Sequence, residues 1–363
     1  MNILYYYPNY DTYMFQWQKY HIFNELQEHN IQFEIINPLL YSSIEEANNE
    51  IIKKIKTGKY QLFMSSYSID KLYIDTLQLM KHHNVASLCF CPDNLTVPYN
   101  QKDIAKYYDL VWITSKETEY LFKKWGAKTI FLPYAANPSL LKPIVPTEEI
   151  MRLAFIGTPH GSRVERLNMF LDNKIPLSVY SKISDTSNKR FRGTSRSYYS
   201  AISNYLKFPI GRRLLLGIVL DKLGRHELDL NSASLEMKEP VPLEEIGMVN
   251  SSYAIVLAFT EANSTGVLKK PVPIVNLRNF EIPMSGGLEF TTYIDELAMY
   301  FEPDKEIILC HSKEEMIDKA RFYLREDNKG LRLKMKEAAR KRAEHDHTWH
   351  RRFSSIFNEL NIG

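Results

Sequence analysis

Cysteine is scarce in this chain. Its three copies, Cys89, Cys91 and Cys310, cannot all pair, and Cys89-Phe90-Cys91 lacks the two-residue spacer of a zinc knuckle or redox motif. That excludes a disulfide-stapled scaffold and leaves buried thiols in a reducing compartment. Fourteen glycines and 17 prolines in 363 residues, beside 44% hydrophobic and 25% charged residues, exclude a collagen-like or largely disordered chain. Charge of one sign is lacking too. Forty-six Lys and Arg against 43 Asp and Glu leave +3, whereas a dedicated nucleic-acid binder carries a strongly basic domain. No stretch reaches the ~18 uninterrupted apolar residues of a spanning helix. Met1 to Pro8 has no basic start and no long apolar run, so it does not read as a signal peptide. A cytoplasmic protein is expected, and any basic patch must be local.

What is present is alternation. Asn2–Tyr7 is an apolar and aromatic run stopped by Pro8, as a buried parallel strand would be. Phe15, Tyr20, Phe23 and Leu26 then recur at near-helical spacing. Strands are expected at Gln32–Ile36, Gln61–Ser65, Ala86–Cys91, Leu110–Thr114 and Thr129–Leu132, with helices at Ile44–Ile55, Ile74–His82 and Lys116–Trp125 between them. Such alternation predicts a parallel α/β sheet with crossover helices over residues 1–138. Prolines 138, 143 and 146 mark a linker at 139–150. The pattern restarts over 151–330, with strands at Arg152–Ile156, Leu177–Tyr180 and Tyr253–Ala258 and helices at Arg163–Leu171, Glu244–Val249 and Glu314–Leu324. Residues 331–363 form a charged helical tail, read either as a solvated helix or as one that crosses back over the first domain. Two α/β domains of similar size joined by such a linker usually hold a ligand between them, outside the carboxyl ends of the strands.

Several pieces of the second half recur in one known order. They are Phe155-Ile156-Gly157-Thr158 followed by Arg163, Ser252–Leu257, Arg278-Asn279-Phe280-Glu281-Ile282-Pro283 with Gly286-Gly287, Tyr300–Ile307, Glu314–Met316, Arg321–Leu324 and His347–Arg351. In this order the chain resembles the CgeB/YkvP-like group of bacterial glycosyltransferases, relatives of the group 1 transferases, over most of residues 105–358. The first hundred residues match only in α/β pattern. The resemblance implies an α/β protein of GT-B fold: two Rossmann-like, doubly wound parallel-sheet domains facing a cleft, with a C-terminal helix returning to the first. It also implies a nucleotide-sugar donor, a UDP-sugar above all, held mainly by the second domain. An acceptor would be held mainly by the first, with no catalytic metal and no further cofactor.

The residues suit that division. A nucleoside diphosphate asks for backbone N–H groups at a helix start plus Arg or Lys, for a carboxylate on its ribose, and for an apolar slot. Gly157, Thr158 and Gly161 form a candidate glycine loop between a strand and a helix, although the full G-x-G-x-x-G fingerprint is absent. Arg163 is the candidate for donor phosphate, with Arg166 read as solvent-facing; His160 is either a substrate contact or a loop histidine in solvent. The resemblance assigns Glu281 to the ribose. Arg278, three residues earlier, could fork a diphosphate or make an internal salt bridge. Gly286 and Gly287 would open the following helix toward phosphate, or make a structural turn. Glu281 and Glu289 share the E-x₇-E spacing of the group 1 transferases, but out of frame: Glu281 occupies the second place, and Pro273 stands where the first Glu belongs.

In the first domain Asp93, after the strand Ala86–Cys91, is the candidate general base on an acceptor hydroxyl, with turn capping as the alternative. Tyr10, Asp11 and Tyr13, in a loop that is usually glycine-bearing in the family, are the candidate acceptor contacts; with 23 tyrosines in the chain, aromatics there are weak evidence. Residues 183–240 exceed what the family pattern needs. Over 189–226 they combine a basic, Ser/Tyr-rich stretch with an apolar run interrupted by Lys207, Arg212, Arg213 and Lys222. This reads as an extra helix packed on the second domain or as a membrane-interface helix under a lipid-linked acceptor. The expected activity is sugar transfer to a carbohydrate or lipid-linked acceptor in bacterial surface-glycan synthesis, with no nucleic acid involved. The competing classes are a non-catalytic nucleotide-sugar-binding envelope or spore protein, and an epimerase of the same architecture.

Overall fold

Six short hydrophobic runs in the first part of the chain form one sheet. They are β1 (Asn2–Tyr6), β2 (Gln32–Ile36), β3 (Leu62–Ser65), β4 (Ala86–Cys91), β5 (Leu110–Ile113) and β6 (Thr129–Phe131). Every pairing is parallel, in the order β2-β1-β3-β4-β5-β6. The structure, a computed structural model, describes residues 1–8, 13–144, 148–182, 202–224, 227–262 and 264–362. By internal contacts the chain divides into two units, Met1–Asn137 with Trp349–Gly363, and Pro138–Thr348.

In the first unit the inner strands β1, β3, β4 and β5 are buried on both faces, which is why they read as continuous apolar runs rather than alternating ones. One face packs Ile51, Ile55, Leu77, Met80 and Phe122 against Leu4, Phe63, Cys89 and Val111. The cysteines are accordingly free and buried. Ser43 starts the helix Ile44–Ile55 by accepting from the Glu46 N–H, an S-x-x-E capping arrangement. Helix Trp349–Leu360 belongs to this unit: Trp349 meets Trp17 edge-on at 5.5 Å, Phe353 meets Trp112 at 5.6 Å, and the Arg352 guanidinium donates to the Pro133 and Tyr134 carbonyls. The tail is therefore two helices. Its first part, Lys329–Asp346, stays in the second unit, and the chain breaks helix at His347-Thr348.

The second unit repeats the architecture with β7 (Ile150–Ile156), β8 (Leu177–Tyr180), β9 (Leu235–Lys238), β10 (Tyr253–Leu257), β11 (Glu289–Thr292) and β12 (Ile308–Cys310). These too are all parallel, in the order β12-β11-β10-β7-β8-β9. The order reverses between β7 and β10, so the crevice at their carboxyl ends is the natural ligand position in this sheet. Strand β9 lies inside the stretch expected to be surplus; residues 183–240 thus contribute the edge strand beside β8. Residues 183–201 and 225–226 of that stretch lie outside the described residues. Helix Lys329–Asp346 is anchored by a buried ion network. Arg332 Nη2 and Lys336 Nζ approach the two Glu149 oxygens at 2.7 and 2.6 Å, and Lys336 also donates to the Tyr253 carbonyl. Burial alone would raise the Glu149 carboxyl, yet the hydrogen bonds from Arg332 and Lys336 hold it below its ordinary value.

Candidate functional site

The loop after β7 is shaped by glycine. Gly157 and Gly161 adopt φ of +151° and +57°, and Gly161 leads directly into helix Ser162–Asp172. A Cβ on Gly161 would sit 2.6 Å from both Asp221 carboxylate oxygens, so only glycine lets the loop approach that side chain. Thr158 and His160 are exposed in the loop. The first turn of the helix aims backbone N–H groups at the loop and carries Arg163.

Arg163 does not stand alone. Its guanidinium and that of Arg166 each lie 5.8 Å from the Phe259 ring centroid, so two cations lie against one aromatic ring beyond the end of β10. Burial lowers the Arg163 pKa; Glu261 acts against that and Arg278 adds to it, which places all three charges within interaction range. Arg166 is not a solvent residue, as the spacing suggested. Its side chain is 15% exposed and ion-paired with Glu261, which is 9% exposed and also accepts from Thr292 Oγ1 at 3.2 Å. Glu261 further bridges Pro273 across an antiparallel backbone contact.

Glu281 and Arg278 lie on helix Arg278–Met284, whose start is tied by Asn276: its Oδ1 accepts from the Arg278 N–H and its Nδ2 donates to the Phe259 carbonyl. Arg278 Nη1 is 3.1 Å from Glu281 Oε2, an ion pair with the carboxylate 4% exposed. Neither Arg278 Nη1 nor Arg166 Nη1 has an aligned acceptor, although both are buried. Arg278 Nη1 faces only the Glu281 oxygen of its ion pair, and Arg166 Nη1 is the donor among the two that is left for an anion. The same corner opens into a pocket of about 500 Å³ running from Arg166 and Glu261 past Thr260 and Thr292 to Tyr293, whose ring stacks on His311 at 4.3 Å.

Gly286 and Gly287 do something other than open a helix. Gly286 (φ +71°) ends helix Arg278–Met284, with its N–H donating to the Pro283 carbonyl and that of Gly287 to Ile282. A Cβ on Gly286 would meet Pro143 at 2.7 Å, and one on Gly287 the Asn250 carbonyl at 2.9 Å. They are a packed turn into β11. Glu289, first residue of β11, is fully buried and accepts from Asn279 Nδ2 at 2.5 Å; burial pushes its carboxyl up to about 8. It ties the helix to the sheet and faces no opening.

In the first unit Asp93 follows β4, as expected. Its carboxyl has an open face, but enough protein surrounds it to raise its pKa by desolvation. Burial and then Asp93 raise the hydroxyl of Tyr134, which donates to the Pro92 carbonyl at 2.7 Å. The loop is locked by Asn94, a residue the sequence reading passed over. Its Oδ1 accepts from the Thr114 and Ser115 N–H groups and its Nδ2 donates to Ser115 O and Thr118 Oγ1, joining the loops after β4 and β5. Tyr10 and Asp11 lie outside the described residues. Tyr13 begins helix Tyr13–Gln18, and its side chain lies outside them too.

The remaining unforeseen contribution comes from helix Pro209–Leu223. Asp221 accepts from Ser264 Oγ at 2.9 Å beside Gly161. Gly217 packs on Ser264 and Thr265, and Gly266 packs on Ser162. Helix, turn Thr265–Val267 and glycine loop thus close on one another through three positions where a side chain would collide. Among the described residues no three His, Cys, Asp or Glu side chains gather as metal ligands.

This pair of sheets has known counterparts. The chain is similar in fold to Anabaena Alr3699/HepE, solved in complex with UDP (TM-score 0.58, 10% identity, covering 99% of this chain and 100% of that one). It is also similar to a glycosyltransferase from Rickettsia africae ESF-5 (0.57, 11%, 99% and 98%) and to a sucrose-phosphate synthase from Thermosynechococcus elongatus (0.52, 12%, 99% and 98%). The architecture is GT-B. Residues 212–358 match the family model described as glycosyl transferase-like, so this stretch of the chain is similar to that family. No curated protein matches the chain in sequence.

Proposed function

We propose that this chain transfers a sugar from a nucleoside-diphosphate sugar, a UDP-sugar above all, to a hydroxyl of a carbohydrate or lipid-linked acceptor. The setting we propose is bacterial surface-glycan synthesis in the cytoplasm, by a protein of the CgeB/YkvP-like type. The observation that carries the reading is the cluster of Arg163, Arg166 and Arg278 with Glu261 and Glu281 in the second unit, where the buried Arg166 Nη1 lacks an acceptor among the described residues. A diphosphate supplies that acceptor, and Glu281, held by its ion pair with Arg278, supplies a carboxylate for a ribose diol. Fixed guanidinium charge stabilises the charge that develops on a departing diphosphate, so the step needs no metal. Asp93, with its pKa raised by burial, is the candidate base for the acceptor proton.

The experiment is UDP release from a panel of UDP-sugars with no metal added, alongside UDP binding by calorimetry. Turnover with at least one donor, and loss of UDP binding in Glu281→Ala, is the expected pair. UDP affinity unchanged in Glu281→Ala would remove the ribose assignment. A second reading, nucleotide-sugar binding without turnover, is favoured by one feature: position 273, where group 1 relatives carry their first Glu, is a proline engaged in a backbone bridge to Glu261. UDP binding without release from any donor would select it.

A further inference from the structure

Residues 202–224 contain a single acidic side chain, Asp221, and the fold turns it inward onto Ser264 and the glycine loop. Helix Pro209–Leu223 packs through two glycines and one leucine: Gly211, Leu214 and Gly217 are buried. Four of its large aliphatic residues point the other way. Leu216, Val219, Leu220 and Leu223 are 50%, 47%, 42% and 77% exposed, and their i, i+3, i+4, i+7 spacing makes them one stripe. A helix on a water-facing surface has the opposite arrangement, leucines in and carboxylate out. The charges bordering the stripe, Arg212 and Lys222, are exposed and both positive.

We propose that this face docks on an anionic lipid bilayer, with the four aliphatic side chains in the interface and Arg212 and Lys222 at the headgroups. The sign of the charge selects the occupant. A second copy related by a two-fold axis would bring these cations face to face with no carboxylate between them, whereas anionic headgroups neutralise them. At 15 residues, with two arginines, an aspartate and a lysine, the helix is too short and too charged to cross, and no helix among the described residues is long and apolar enough to do so. It therefore lies on the surface. The inference rests on the helix's own surface rather than on the transfer reading, and vesicle binding and UDP release are measured separately.

The test is co-sedimentation of the full-length protein with phosphatidylcholine vesicles, with and without phosphatidylglycerol. The protein should pellet with the anionic vesicles about tenfold more strongly than with neutral ones. A Leu216→Glu, Leu220→Glu double variant with an unchanged thermal melt should stay in the supernatant. Arg212→Glu with Lys222→Glu should remove the preference for phosphatidylglycerol. Equal pelleting of the wild type and the leucine variant, or no pelleting above a vesicle-free control, overturns the proposal. So does a wild-type dimer that the leucine variant turns into a monomer while vesicles recruit neither, since that assigns the face to a second copy. If the leucine variant does not fold, the charge variant decides: lost preference supports the proposal and unchanged pelleting overturns it.

Discussion

The two sheets have the same number of strands, all parallel, and opposite chemistry at their carboxyl ends. In the first unit the loops after β4 and β5 are joined by the neutral amide of Asn94, and one carboxylate, Asp93, stands on that platform. In the second, three arginines and two glutamates converge on the loops after β7 and β10. Topology places both groups where a ligand belongs in an open parallel sheet; charge decides which ligand. The arginine cluster suits a polyanion. The Asn94 platform, uncharged apart from one carboxyl biased toward protonation, suits a neutral hydroxyl whose proton must be taken.

The sharpest way to break this contrast is to remove chemistry from one unit without touching the other. Asp93→Asn should lower kcat by about 10³-fold, within the range general base catalysis contributes, while UDP affinity measured by calorimetry stays at the wild-type value. A parallel loss of UDP binding would show that the division of labour is wrong. Next in size, Arg278→Ala should weaken UDP binding about 10- to 100-fold, as expected for a charge-assisted contact, and the thermal midpoint should fall because the buried Glu281 carboxylate loses its ion-pair partner.

Gly161→Ala tests whether the glycine loop depends on helix Pro209–Leu223. A methyl group placed against the Asp221 carboxylate at positive φ should cost about 1–3 kcal/mol in chemical denaturation. Combining it with Asp221→Ala should recover part of the loss, the φ strain remaining. Full recovery or none would each contradict the contact. The smallest expected effect on activity comes from Glu289. Its folded-state pKa lies above the ordinary carboxylate value, so the folded protein favours the protonated form. Its buried carboxyl is fully tolerated below about pH 4.5, and stability falls as pH rises through about 8, by an order of a few kcal/mol in total. Glu289→Gln should flatten the denaturation midpoint between pH 5 and 8, leaving UDP affinity near wild type at pH 6. A pH dependence identical in the two proteins would mean the carboxyl is paired in a way the geometry does not show.

Much of the first sheet was legible because its signals are local. Ile44–Ile55, Ile74–His82 and Ala86–Cys91 appear with the expected limits, since buried parallel strands are unbroken apolar runs and the helices carry an apolar stripe. Strands β9, β11 and β12 were not legible. Leu235–Lys238 is an edge strand with alternating charge, and Glu289–Thr292 begins with a glutamate that only a buried Asn279 makes tolerable. Gly286-Gly287 shows the same limit within the site. A glycine pair signals a turn, but whether it opens or closes a helix depends on Pro143 and Asn250, which are distant in sequence.

By itself the sequence determined the class of the fold, the positions of most central strands, and the candidates Arg163, Arg278, Glu281 and Asp93, because period, turn residues and residue type are properties of short segments. Tertiary structure alone decided that Arg166 joins the cluster rather than the solvent, that Glu261 and Phe259 stand between the arginines, and that Asp221 points inward while its neighbouring leucines point out. Each of these depends on which surface a helix turns toward its neighbours. Packing across long sequence separations settles that, and no local pattern encodes it.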